Sequence, residues 1–445
     1  MTKPPPLAHG NPRAMSLLWL AVILTLPGIV MKLAGFDAHQ SPVTGLFVFG
    51  MTIVSAAFLL TWAAETAEGD LGSGLAIVLL ALVTVLPEYA VDVLLAWKAG
   101  TDEHARHLAL GNMTGANRLL IGVGWPLVAM LVWYREGRTG ITLRRERSGD
   151  IVWLLVATAY SCIIPLKGTL AWYDAVVLFA IYAIYVKGSA SDDGEAHEAE
   201  ELVGPPRVMM AWPKRRRIVW TTWIFLWSAG AILASAEPFV ESIMAAGDHL
   251  NIDSFVLAQW IAPLASEAPE FVVVILLTMR GRAEMGLGAF ISSKVNQWTL
   301  LVGAVPLAYG LSRLKHGFGF ETMPIDASQV EELWLTAAQG LYAVAAISDL
   351  NFSLRQAMTI LVLFLVQFVG SIGVRAFGGA DAHHALMVFH NALSVLYGLL
   401  ALRCFLLQRR DLVQRWRDCR AVPRGAALAP APDRGGAGGP DESDA

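Results

Sequence analysis

The sequence predicts an all-α, polytopic membrane bundle. Its core is ten helices in two five-helix repeats of inverted orientation, with one extra helix at each end. Three observations lead there: the composition, the length of the apolar blocks, and an internal repeat that carries acidic residues inside apolar helices. The chain has 445 residues, of which 55% are hydrophobic and 16% charged. A soluble domain carries roughly 25% charged residues, because its surface must face water. The apolar residues also fall in blocks of about 20, the length that crosses a hydrocarbon core of about 30 Å.

Twelve spans follow: 16–35, 43–67, 72–97, 107–133, 151–167, 170–187, 218–245, 253–279, 286–312, 332–349, 355–377 and 384–407. The first follows a short tail bearing Lys3 and Arg13, and no small-residue cleavage site follows Gly35, so it reads as a retained helix. The chain divides into a tail and added helix (1–42), a first half (43–187), an acidic and basic linker (188–217), a second half (218–377), an added C-terminal helix (378–407) and a disordered tail (408–445). The acidic run from Asp192 to Glu201 is read as a solvated linker rather than a calcium sensor. The Ala/Pro/Gly composition beyond Arg409 suits disorder.

Numbering the connections alternately gathers Arg135, Arg138, Arg144, Arg145, Arg147, Lys187, Arg207, the Lys214–Arg217 cluster, Arg280 and Arg282 on one side. Short cytoplasmic loops are the basic ones, so both termini and the linker are expected inside. The expected location is an inner membrane of bacterial type. The three cysteines, Cys162, Cys404 and Cys419, match no metal or redox spacing.

The repeat carries the chemistry. The third span reads Thr84-Val85-Leu86-Pro87-Glu88 and the eighth reads Ser266-Glu267-Ala268-Pro269-Glu270. Each is followed, after a short polar loop, by a second pattern. In the first half this is Gly111-Asn112-Met113-Thr114-Gly115-Ala116-Asn117 and then Leu119-Leu120-Ile121-Gly122. In the second half it is Ser292-Ser293-Lys294-Val295-Asn296 and then Leu300-Leu301-Val302-Gly303. Pro126-Leu127 and Pro306-Leu307 close the two copies. The eighth span lies five spans after the third, so the two motifs run in opposite directions.

A carboxylate at the bilayer centre costs roughly 2.5–3.5 kcal/mol on insertion scales. Glu88 and Asp92 lie one turn apart on one helix face, and Glu267 and Glu270 share another. Such groups must face a cavity, one another, protons or bound cations. Pro87 and Pro269 each remove a backbone donor, so carbonyls near Leu82–Val83 and Leu264–Ala265 are expected to lose helical partners. Carbonyls, a hydroxyl from Thr84 or Ser266 and carboxylates make an oxygen shell suited to calcium or sodium, whereas zinc or copper would want His and Cys. Asn117 and Asn296 sit on the following helix of each half and can offer carbonyl oxygens. Glu65, Glu68, Glu237 and Glu241 lie near span ends and are less secure. His383, His384 and His390 read as structural or interfacial.

These motifs resemble the calcium/cation antiporter superfamily, the membrane region of sodium/calcium exchangers. Its two repeats read approximately Gly-Thr-Ser-x-Pro-Glu and then Gly-Asn-x-x-Gly-Ser-Asn. Residues 72–127 and 253–307 look like those repeats, and spans 43 to 377 would cover the ten-helix core. The resemblance implies Glu88 and Glu270 as the central cation-binding carboxylates, with Thr84, Ser266, Asn117 and Asn296 as supporting ligands. Asp92, Glu267, Ser292, Lys294 and Arg118 are secondary candidates. The chain departs from the pattern at Val85 and Glu267, where a second hydroxyl is usual, at Lys294-Val295, and at Arg118. Lys294 and Arg118 are expected to reach the carboxylate group and neutralise part of its charge.

The expected function is secondary active antiport of calcium or another cation against protons or sodium, by alternating access around the two acids. Sodium/proton exchange without calcium is the alternative. An intramembrane enzyme is disfavoured, since no Ser–His pair or His/Cys metal set converges on the motif helices. A purely structural membrane protein would not need paired midplane carboxylates. No resident cofactor and no nucleic-acid partner are expected. The partners are inorganic cations and the bilayer, and the oligomeric state is left open.

Overall fold

The computed structural model describes residues 12–68, 86–189, 204–250, 254–377 and 381–421. Helices dominate because apolar side chains in lipid still leave backbone N–H and C=O groups to be paired within the segment. The first half runs α1 (Pro12–Leu33), α2 (Pro42–Glu68), α3 (Leu86–Ala99), α4 (Glu103–Leu119), a π-helical turn (Leu120–Gly124), α5 (Trp125–Glu136), α6 (Ser148–Ser161), α7 (Ile163–Lys167) and α8 (Trp172–Ser189). After α9 (Pro205–Met210) the order recurs. It runs α10 (Lys214–Leu250), α11 (Ser254–Met279), α12 (Ala283–Asn296), a second π-helical turn (Gln297–Leu301), α13 (Val302–Lys315), α14 (Ala327–Ile347) and α15 (Leu354–Phe377). Two further helices follow, α16 (Ala382–Leu407) and α17 (Arg409–Ala421).

Each of the twelve expected spans, the third from Leu86 onward, falls on one of these helices or on a helix–turn–helix run. Eight helices among the described residues are long and apolar enough to cross a membrane. The outer surface bears large apolar side chains such as Leu226, Val369, Val395 and Leu399, a face that suits lipid and not water. The molecule is a polytopic membrane helical bundle.

The two halves are joined crosswise. Strand β1 (Gly140–Thr142) of the first half pairs antiparallel with β4 (Asn351–Ser353) of the second, and β2 (Thr169–Leu170) pairs with β3 (Met323–Pro324). The loops that pair follow spans four and ten, and spans five and nine. They lie on common sides only if the spans alternate direction as the basic residues suggested. The packing repeats the same exchange: α15 lies on the first π turn and α5, and α8 lies on the second π turn and α13. Gly122 and Gly303 make this possible. A methyl group at Gly122 would meet Phe364 of α15 at 2.2 Å, and one at Gly303 would meet Phe179 of α8 at 2.6 Å.

Each π turn shifts the ladder by one residue, with Trp125 N–H donating to Leu120 and Val302 N–H donating to Gln297. Both turns come just ahead of a proline, Pro126 or Pro306, whose missing N–H cannot hold the carbonyl one turn back. π turns are rare and concentrate at functional sites.

Two sequence expectations need correction. Residues 409–421, expected within a disordered tail, form α17 packed against α6. Arg415 is buried there, 3.1 Å from Asp418 and 3.4 Å from Ser148 Oγ, so a polar-looking segment is held by its ion pairs. The end of the linker is also helical: α9 buries Pro205, Pro206 and Met209, and α10 begins at Lys214. The acidic run Asp192–Glu201 and residues 422–445 lie outside what is described.

A candidate cation site between the two Pro-Glu helices

The site is built where α3 and α11 meet the π-turn helices. α3 packs on α4 and α13, while α11 packs on α12 and α4, so each motif helix touches both halves. α11 is not broken; it continues from Ser254 to Met279 through Pro263 and Pro269. These prolines deprive the carbonyls of Gln259 and Ala265 of their helical donors. The first of these is covered by Gly115 of α4, where a methyl group would stand 1.9 Å from the Gln259 carbonyl oxygen. Gly115 therefore sets how closely α4 can approach the site helix. Thr84 and the carbonyls of Leu82 and Val83 lie outside the described residues.

Glu88, Asp92 and Glu267 are buried, at 4%, 1% and 0% exposure, while Glu270 is half-buried. These four acids come together. Glu88 interacts electrostatically with Glu270, Asp92 and Glu267, and the Gln297 side chain adjoins it. Gln297, the first residue of the second π turn, also donates from Nε2 to Glu267. Asn112 Nδ2 donates to Asp92 Oδ1 at 2.5 Å. Ser293 adjoins Glu270, and Ser292 hydrogen-bonds with Tyr185. Ser266 donates back to its own helix, with the carbonyls of Ala262 and Pro263 both 3.2 Å from its Oγ. Its lone pairs remain able to accept.

Several buried oxygens here have no hydrogen-bond partner: Glu88 Oε2, Asp92 Oδ2, Glu267 Oε2, Asn112 Oδ1, Asn296 Oδ1 and Gln297 Oε1. An unpaired polar atom in an apolar interior costs on the order of 1–3 kcal/mol. These six acceptors come from both halves of the chain, and no group of three or more acids among the described residues stands close enough together to hold a metal ion as it is.

The two basic residues behave differently from each other. Lys294 is fully buried and its Nζ donates to both oxygens of Asn117, the backbone carbonyl at 2.7 Å and the side-chain Oδ1. It also interacts electrostatically with Glu267 and Glu88. Asn117 turns its amide to the Met113 carbonyl at 2.8 Å, so its oxygens are already occupied by the ammonium. Arg118 does not reach the carboxylate group as expected. Its guanidinium sits 2.5 Å from Glu332 of α14 and lies over Trp260 at 5.6 Å. Asn117 and Arg118 are consecutive on a helix, so their side chains diverge by about 100° and cannot serve one pocket.

The upstream acids of the second half are held by lysines away from the site. Glu237 pairs with Lys32 at 2.8 Å, and Glu241 with Lys98 at 2.7 Å. Asn112 and Gln297 are polar members of the site that the sequence motifs did not single out as ligands, and Glu332, outside it, is the partner of Arg118. Asn112 was visible as the second residue of the Gly-Asn pattern. Gln297 directly follows Asn296. Glu331 and Glu332 open an apolar span, which made them look like a span end.

The family model described as sodium/calcium exchanger protein matches residues 41–189 and 220–407. The chain belongs to this family. Its structure is similar to the crystal structure of the H+/Ca2+ exchanger CAX, with 37% identity, a TM-score of 0.82, and coverage of 92% of this chain and 98% of that one. It is also similar to the sodium-calcium exchanger NCX_Mj, soaked with Na+ and Sr2+ (17% identity, 74% and 97% coverage, TM-score 0.49) or with Na+ and no Ca2+ (18%, 74% and 98%, 0.48). No curated protein matches the sequence. As a sodium/calcium exchanger family member the chain is an integral membrane cation antiporter, and its family and structural neighbours are exchangers rather than enzymes.

Proposed function

We propose that this exchanger carries calcium against protons, by alternating access around Glu88 and Glu270, in an inner membrane of bacterial type with both termini cytoplasmic. The observation that carries the reading is the buried acid cluster drawn from both halves, in which Glu88, Glu267 and Glu270 act on one another electrostatically. Four carboxylates stripped of protons would repel strongly in a dry site. A metal-free cluster is therefore a protonated one, and the ion that displaces those protons must replace their charge.

Calcium does so. It takes six to eight oxygens at about 2.3–2.6 Å, and Glu88, Glu270, Asp92 and Glu267 with Asn296 and Ser266 offer that kind of shell. Thr84 joins them by its place in the motif. Ion and protons compete for the same oxygens, so loading one releases the other. Moving one inverted half against the other then exposes the site to each side in turn. The similarity to a protein described as an H+/Ca2+ exchanger supports protons as the counter-ion.

Lys294 adds a fixed charge to this scheme. Its ammonium occupies the two Asn117 oxygens that the family resemblance would assign to an ion. A fixed cation there means fewer metal ions bound per cycle than in sodium/calcium exchange. The test is exchange in proteoliposomes by Glu88→Gln and Glu270→Gln, which preserve shape and remove charge. Both variants should fold and fall to background. Wild-type rates in either would remove that residue from the mechanism.

A further inference from the structure

A second buried cluster of ionisable groups lies outside the exchange site, and its imidazole comes from α16, a helix beyond the ten-helix repeat core. α16 packs along α14 and α15. His390 of α16 is 1% exposed, and its Nδ1 lies 3.5 Å from Glu331 Oε1 and 3.6 Å from Glu332 Oε1, both on α14. On the other side of the ring, Nε2 is 2.8 Å from Ser371 Oγ of α15. The two acids are 3% and 5% exposed, and Glu331 Oε2 has no hydrogen-bond partner.

The other charged groups facing this cluster are Arg118 of α4 and Arg375 of α15. Arg118 sits 2.5 Å from Glu332 Oε2, while Gln259 Nε2 of α11 donates to the same oxygen at 3.2 Å. Arg375 acts on Glu332 electrostatically from an exposed position. Glu332 thus stands between two partners, with one oxygen toward the Arg118 guanidinium and the other toward the imidazole. The carboxylate of Glu331 faces the imidazole, and no Lys or Arg among the described residues forms an ion pair with it.

We infer that His390, held between Glu331 and Glu332, is a second proton-binding site, separate from the exchange site, whose occupancy tunes exchange through Arg118. Histidine is the side chain whose charge ordinarily changes between about pH 5 and 8. A proton on His390 turns the contact with Glu331 into an ion pair and compensates the otherwise lone buried carboxylate. It also gives Glu332 a second cation to satisfy, which weakens the hold of Glu332 on Arg118. Arg118 is covalently next to Asn117, whose oxygens bind Lys294, and Lys294 faces Glu267 and Glu88. The path from His390 to the exchange site is therefore a continuous series of contacts: Glu332, Arg118, Asn117, Lys294. A loosened Arg118 adds positive potential beside Lys294, so acidification opposes cation loading.

This site does not depend on which ion is counter-transported, and the two readings fail differently. Loss of a central carboxylate removes exchange at every pH, whereas loss of His390 alters only the pH dependence. The experiment pairs nuclear magnetic resonance of 15N-histidine-labelled protein in micelles with calcium exchange in proteoliposomes across a pH series. His390→Gln identifies the resonance by its disappearance. The expected result is a His390 resonance that changes protonation state within the series. Exchange should have an acid-side inflection at the same pH, and that inflection should be lost in His390→Gln while exchange at alkaline pH persists. Glu331→Gln removes the carboxylate that faces the imidazole, so it should change both midpoints. A resonance that does not titrate, or superimposable pH profiles for wild type and His390→Gln, overturns the proposal. Should His390→Gln not accumulate, unmoved midpoints in Glu331→Gln overturn it equally.

Discussion

Lys294 is the residue at which this chain parts most clearly from its family's pattern. A buried ammonium without partners would be costly, and here its demands are met by Asn117 and the nearby acids. Its charge opposes the mutual repulsion of Glu88, Asp92, Glu267 and Glu270. If Lys294 stands where a metal ion would otherwise bind, Lys294→Met leaves room that a dissolved cation can fill. Thermal unfolding in detergent measures this, because a ligand bound only to the folded state stabilises it by about 2.7 kcal/mol at a hundred times its dissociation constant. The variant should be less stable than wild type without salt and should recover as sodium is added, while wild type responds little. Equal sodium responses would show that the lysine replaces no ion. The residue types at the site were legible in the sequence, since an acid inside an apolar span is too costly to be kept without a cation or a proton to meet it. Their partners were not. Lys294 with Asn117 and Arg118 with Glu332 join opposite halves of the chain, and no local spacing reveals which cation meets which acceptor.

At the scale of elements, close approach between helices is what aims the site. α4 can lie against α11 only because Gly115 has no side chain over the Gln259 carbonyl, which Pro263 has left without a donor. Gly115→Ala places a methyl group 1.9 Å from that oxygen, and backbone cannot yield as a flexible side chain can. Overpacking of this kind costs about 1–3 kcal/mol. The variant should unfold at lower temperature and lose exchange, since Asn112, Asn117 and Arg118 all ride on α4. Wild-type stability and rate in Gly115→Ala would show that the contact is not tight. Helix number and order were legible from the apolar blocks, because length in lipid is set by bilayer thickness. The π turns were not, since they arise from how a proline ahead shifts the ladder within an unbroken apolar run. α17 was missed for a related reason. Its composition is polar, and its order comes from Arg415, Asp418 and Ser148, a contact between distant segments.

For the whole molecule, the crosswise pairing of β1 with β4 and β2 with β3, and the matched contacts of Gly122 and Gly303, tie the two halves into one two-fold arrangement. That arrangement was legible from the repeated motifs and from their offset of five spans, which reverses direction. It places acids from antiparallel helices in one buried cluster, which is what alternating access requires of a single shared site. Competition between calcium and protons for that cluster is the step on which the exchange scheme stands. It is read most simply as proton flux in sodium-free proteoliposomes when a calcium gradient is imposed, followed with an internal pH dye. Calcium moving in should drive protons out, with no requirement for sodium, and Glu88→Gln should abolish the signal. Calcium movement that needs sodium and carries no proton flux would contradict the scheme.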